Sequence, residues 1–274
     1  MQRLPGNVAC LVRVADDAPN YTWTLRGRPV PPAQTWTTSG MNFIGFPTPR
    51  DNPPMAGVFL GPSRSLHNQA EFYRYVGGPP GETNPVRLWP AILRNTPLNR
   101  SEAFWVRAEE FNRYFGPVDV NLQSPAGIRF GTSGGQYRIR VRNTIDEAVV
   151  ISGRLVASEP SPPRERPIAG EVPLLLRGKL DLTELTPGFT RFEDGPVEWT
   201  LQPRGQPGSE VEVMLGLDRA AMTGDPGDLF AGILRLSDAG GLVEIDLLVS
   251  AEVASTTGLW VGNALVGEVQ HNLV

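Results

Sequence analysis

Cysteine, histidine and lysine are nearly missing from this chain: among 274 residues there are one Cys and two His, and of the 25 basic residues only Lys179 is lysine. A lone Cys10 cannot close an intrachain disulfide, so the fold must be held by packing. Within ACLVRV it reads as a small buried hydrophobe. His67 and His271 stand far apart in the chain with no third ligand beside them, and a zinc centre would have to be completed by carboxylates. There is no GxSxG elbow, phosphate-binding glycine loop or zinc-protease helix motif. Glu109 and Glu110 are adjacent, so they point apart and cannot flank one glycosidic bond. Asp225 and Asp228 in TGDPGD offer too few oxygens for calcium, which takes six or more. The arginines are scattered, whereas nucleic-acid binding needs clustered positive charge. No apolar run approaches the roughly 18 residues of a membrane-spanning helix. The opening MQRLPGNVAC lacks the apolar stretch of a secretory signal, which leaves a cytoplasmic chain or one whose signal has been removed. The expectation is a protein with no catalytic residue, metal or cofactor, and with no nucleic-acid partner or membrane span.

What the chain does hold is punctuation. Its 30 Gly and 27 Pro, 57 of 274 residues, exceed the roughly 12 % of an average chain and leave little room for long helices. With 40 % hydrophobic and 20 % charged residues it is neither disordered nor membrane-like. Many short strands joined by turns follow, hence an all-β fold. Of 22 aromatic residues, 15 precede residue 119. Charge divides at the same place: residues 1–118 hold 12 Arg against 8 acidic groups, net +4, and 119–274 hold 13 basic against 21 acidic groups, net −8. The length suits two domains, and the reading is a small, loop-rich, aromatic β module over 1–118, a sandwich over 119–254 and a C-terminal strand segment over 255–274. Upstream, strands are expected at 9–14, 21–25, 42–46, 71–76 and 103–106, with short helices near 56–59 and 109–114.

Downstream the period-2 pattern is clean. In QYRIRVRN, Tyr137, Ile139 and Val141 alternate with Arg138, Arg140 and Arg142, placing one apolar face on a core and the arginines in water. The same alternation runs through 211–217, 230–236 and 243–249, with turns TIDE, TGDPGD and DAGG near these strands. Strands broken by turn signals about every ten residues describe an antiparallel, immunoglobulin-like β-sandwich. The proline cluster EPSPPRERP (159–167) reads as an extended connector inside it.

Three upstream segments, SGMNFIGFP (39–47), EFYRYVGG (71–78) and SEAFWVRAEEF (101–111), resemble a small module of bacterial surface proteins that reads GWNLIGFP and, near its end, GYWV or AYWV. Met41 stands where that module has Trp, Phe43 where it has Leu and Phe104 where it has Tyr. The resemblance implies large secreted or surface-anchored polypeptides of environmental Gram-negative bacteria, Verrucomicrobia-like groups among them, with no catalytic residue attached to the motif. The second half, through QYRIRVRNTID, SEVEVMLGLDRAA, LFAGILRLSD and VEIDLLVSAEV, resembles an immunoglobulin-like domain of the hydin type. That implies a spacer and docking surface, with the stretch 160–200 exceeding a minimal domain of the family.

Two sets of residues are left as candidate sites. Trp23, Trp36, Tyr73, Tyr75 and Trp89 either stack on the apolar faces of sugar rings or fill the small module's core, since such rings bury a large area each. In the last segment, Leu259, Val261, Leu265 and Val269 form one apolar set and Trp260, Ala264 and Val266 the other, so both faces of a strand there want cover. Such a strand either folds back on its own chain or pairs on a neighbouring, identical chain, head to tail, as in a filament. The function expected is a non-enzymatic structural or adhesive protein, extracellular or on the cell surface, whose partners are neighbouring chains. The alternative is a carbohydrate-binding module of a larger secreted protein, with a polysaccharide as partner.

Overall fold

The computed structural model describes residues 7–13, 27–81, 83–181, 186–192, 195–255, 262–266 and 269–273. The chain is all-β. Its first sheet is formed by β1 (Asn42–Ile44), β2 (Glu71–Arg74), β3 (Val86–Leu88) and β4 (Phe104–Arg107), in the antiparallel order β1-β4-β2-β3. Two single-turn-scale helices, α1 (Ala56–Leu60) and α2 (Pro90–Arg94), lie in its connections. Pro90 suits the first position of α2, where the missing N–H has no intrahelical partner to lose.

Beneath this sheet Phe46 packs edge-on against Phe59, with ring centroids 5.2 Å apart, and tilted against Phe104, Phe115 and Trp36. Tyr114 closes this core. Its hydroxyl donates to the Phe59 carbonyl, and its own carbonyl accepts the Trp36 indole N–H at 2.7 Å. Burial, with Asp238 nearby, pushes the Tyr114 hydroxyl well above the usual phenol range. No helix forms over 109–114, contrary to expectation. The Asn112 side chain accepts the backbone N–H of Tyr114 at 3.1 Å, a local bond that competes with helix formation. Residues 8–13 also form no strand, and Cys10 is exposed rather than buried, with Val8, Leu11 and Val12 exposed beside it. The segment 21–25 lies outside the described residues.

From residue 118 the chain builds a two-sheet, mainly antiparallel β-sandwich. One sheet has the order β11-β10-β13-β7-β5, from β5 (Val118–Leu122), β7 (Gln136–Asn143), β10 (Leu174–Asp181), β11 (Thr186–Arg191) and β13 (Glu210–Leu217). The other has the order β12-β8-β14-β15-β6, from β6 (Ile128–Gly131), β8 (Val149–Ala157), β12 (Val197–Leu201), β14 (Leu229–Asp238) and β15 (Glu244–Glu252). Two pairings are parallel: β6 along β15, and the short β9 (Ile168–Gly170) along β14. The alternation in β7 is complete. Tyr137, Ile139, Val141 and Asn143 are buried, while Arg138, Arg140 and Arg142 are exposed and pair with Glu212, Glu210 and Asp119 of the flanking strands. Asn143 is buried because its side chain bridges two loops, donating to the Glu147 and Gln202 carbonyls and accepting the Ile145 N–H.

The small module sits against the β14–β15 end of the sandwich, and the buried apolar side chains of both form one continuous cluster. The backbone N–H of Glu244 donates to Pro47 at 2.9 Å, and Thr144 bonds back to Gly116 and Pro117. Arg100 reaches across to Glu244 at 2.8 Å and Asp246 at 2.9 Å, and Arg235 braces the same two carboxylates from β14. At the β14–β15 turn the Asp238 carboxylate accepts the N–H groups of Leu242 and Val243, yet burial still pushes its carboxyl above the usual range. Among the described residues no helix is long and apolar enough to cross a membrane.

Candidate functional site

Side chains alternate across a strand, and in the four-stranded sheet the inward set is Ile44, Phe72, Phe104 and Val106, all buried. The outward set is unusual for a solvent face. Phe43 stands opposite Trp105, Trp105 opposite Tyr73, and Tyr73 opposite Arg87, which makes one row across all four strands. At the usual strand spacing this row is about 14 Å long. The Phe43 and Trp105 rings stack with centroids 4.3 Å apart and planes 17° from parallel, and Tyr75 meets Trp105 edge-on at 6.3 Å. These rings are half-buried. The faces of the stacked pair are turned together, so the row is a ridge rather than a flat platform.

At the β3 end the ridge becomes polar. Tyr73 donates to Glu71 at 3.3 Å, Glu71 pairs with Arg87 at 2.7 Å, and the Arg87 guanidinium lies 4.2 Å from the centre of the Trp89 ring. Trp89 is 56 % exposed, with one face under that cation. On β4 the outward neighbour of Trp105 is Arg107, opposite Glu71. Arg107 forms one wall of a cleft of about 420 Å³, and Thr38, Ser39, Gly40 and Met41 form the other. Arg74 and Arg87 of this sheet have carboxylate partners in Glu102 and Glu71, whereas Arg107 makes no ion pair among the described residues.

The aromatic candidates therefore separate. Trp36 is 1 % exposed, and its indole N–H is committed to a backbone carbonyl, so it is a core residue and is removed from any ligand set. Tyr73, Tyr75 and Trp89 share the outward face, while Trp23 lies outside the described residues. Phe43, Trp105 and Arg107 belong to the face and were missed, because only the strand register places them beside Tyr73 and Tyr75. The period-2 pattern of MNFIGF and FWVR was the available signal.

In the last segment Leu259, Trp260 and Val261 lie outside the described residues. Leu265 falls in β16 (Gly262–Val266), as does Val266, and Val269 opens β17 (Val269–Leu273). These two strands pair antiparallel with each other as a sheet of their own, so the segment holds two short strands instead of one.

No protein-family model matches the chain, and no curated protein matches it. Among solved structures, the E. coli chaperone DraB matches 55 % of this chain and 65 % of its own, just under two thirds, at 8 % identity and a TM-score of 0.28. The CooA pilin subunit from enterotoxigenic E. coli matches 52 % of this chain and 99 % of its own, at 12 % identity and a TM-score of 0.26.

Proposed function

We propose that this chain is a non-enzymatic, extracellular structural or adhesive surface protein, with the sandwich as spacer and the outer face of the four-stranded sheet as contact surface. One observation carries the reading: Phe43, Tyr73, Tyr75 and Trp105 converge on the side of that sheet facing away from the module's core. Clustered apolar surface of this kind marks interaction sites, and buried aromatic anchors dominate binding energy once a partner covers them. The purified full chain is expected to adsorb to isolated bacterial extracellular matrix. Trp105→Ala should weaken that adsorption about tenfold while the chain still melts cooperatively. Equal adsorption by the variant, or none by the parent chain, refutes the reading.

A finer reading makes the chain a filament subunit, and the separate β16–β17 pair favours it. The sandwich sheets end at β5, β11, β6 and β12, so a neighbour's strand would add at one of these edges rather than insert between strands. Deleting residues 259–274 is expected to abolish polymers seen by electron microscopy and sedimentation, with the melting temperature unchanged. A full chain that stays monomeric when concentrated, or a deletion that unfolds the sandwich, sinks this reading.

A further inference from the structure

We infer that the cleft between Arg107 and the Thr38–Met41 loop is a subsite for the carboxylate of a uronic-acid-containing polysaccharide, an inference that rests on the adhesive reading above. Arg107 is exposed, stands at a cleft of about 420 Å³ and makes no ion pair among the described residues, while its neighbours on the sheet, Arg74 and Arg87, are each matched to a carboxylate. A spare guanidinium presents a planar fork of donors that matches a planar carboxylate through two parallel bonds. A sulfate ester can meet the same fork with two of its oxygens, so the test below sets a sulfated polymer against the carboxylated one.

The rest of the cleft suits a sugar. Thr38 and Ser39 bring hydroxyls, which donate and accept as sugar hydroxyls do. Met41, 44 % exposed, lies on the same wall and continues the apolar ridge of Phe43 and Trp105. Because Phe43 and Trp105 turn their faces to each other, the ridge serves as an apolar wall along the sugar chain, and the charge at Arg107 sets the preference. Charge on the larger scale agrees: residues 1–118 carry 12 Arg against 8 acidic groups. The whole chain, at −4, would repel a polyanion rather than attract it unspecifically.

The test is affinity electrophoresis of the full chain through gels containing polygalacturonate, dextran sulfate or unmodified dextran, near 0.15 M salt, where long-range charge effects are screened. Polygalacturonate should retard the chain and dextran should not. Arg107→Ala should weaken retardation about tenfold, and Arg107→Lys should restore part of it. A second variant fills the cleft while keeping the charge: a Cβ added at Gly40 meets nothing within 4 Å, so Gly40→Leu should fold normally and still lose retardation. Retardation by dextran sulfate as strong as by polygalacturonate, or an Arg107→Ala chain that is still fully retarded, overturns the inference. A chain retarded by no polysaccharide that still adsorbs to matrix through Trp105 overturns the inference and leaves the adhesive reading standing.

Discussion

Replacing Gly116 with alanine is expected to destabilise the chain by about 2 to 6 kcal/mol, the larger part of it at the junction between the small module and the sandwich. Gly116 has φ +125°, a conformation that L side chains rarely adopt, and strain of that kind costs about 1 to 3 kcal/mol. The added Cβ would stand 2.7 Å from Val243 Cγ1 and 3.5 Å from Phe59 Cζ. Val243 is the buried residue just before β15, and Phe59 lies at the centre of the aromatic core, so relief must displace one module or the other. Overpacking of this sort costs another 1 to 3 kcal/mol or so. At roughly 2 to 4 °C per kcal/mol for a chain of this size, the melt should fall by about 5 to 20 °C. Because the buried apolar side chains of both parts form one continuous cluster, calorimetry of Gly116→Ala should show a single transition shifted downward, with the fluorescence of Trp36 and Trp105 following the same melt. Two separated transitions would mean that the small module and the sandwich unfold independently across the division at 117–118.

Much of the sandwich was legible because its strands are long and half-buried. Strands β7, β13, β14 and β15 each carry several apolar residues at period 2, and Tyr137-Ile139-Val141 lies where alternation puts it, facing inward. The three upstream strands at 42–44, 71–74 and 104–107 were found with ends displaced by a residue or two, since strands of three or four residues give alternation little to work on. Missed outright were β3, β5, β6 and β8 to β12. Val149–Ala157 breaks its pattern at Gly153, a glycine kept because Trp199 from β12 packs where its Cβ would stand, at 2.9 Å. The site was half legible. Tyr73 and Tyr75 are visible as an i, i+2 pair in EFYRYV, but that they meet Trp105 depends on pairing β2 with β4 across some thirty residues, which no local pattern specifies. Trp36 looks the same in sequence as an exposed ring, and only its contacts with Phe46 and the Tyr114 carbonyl assign it to the core.

Arg219→Met is expected to cost about 2 to 4 kcal/mol and to make the protein prone to self-association. Arg219 sits in the helical turn Arg219–Ala221 that follows β13, and no carboxylate pairs with it among the described residues. Its guanidinium donates to backbone carbonyls instead: Glu252 at 3.1 Å, Gly131 at 3.1 Å and Gly134 at 2.7 Å, with Phe130 at 3.4 Å at the limit of a bond. One side chain thus ties the end of β15 to the end of β6 and to the turn leading into β7. Methionine keeps most of the volume and removes every donor, leaving partly buried carbonyls unsatisfied at about 1 to 3 kcal/mol each before water repays some of it. Losing the guanidinium also removes its buried Nε, which has no partner of its own, so the net loss stays below the simple sum. The consequence for assembly comes from position. The parallel strand β6 covers the outer edge of β15, and without Arg219 that cover rests on the short pairing at Ile128, Arg129 and Gly131 and on the buried side chains of Ile128 and Phe130, which leaves the Gly131 end of β6 the weakest. An uncovered edge of a long apolar strand is a template for another chain. Urea unfolding should show the drop in stability, and light scattering at native temperature should show association in Arg219→Met that the parent chain lacks. Lysine at this position carries the charge but gathers its donors at one point, so Arg219→Lys should recover only part of the loss. Full recovery by lysine would mean that charge alone, and not the fork reaching several carbonyls at once, holds the edge closed.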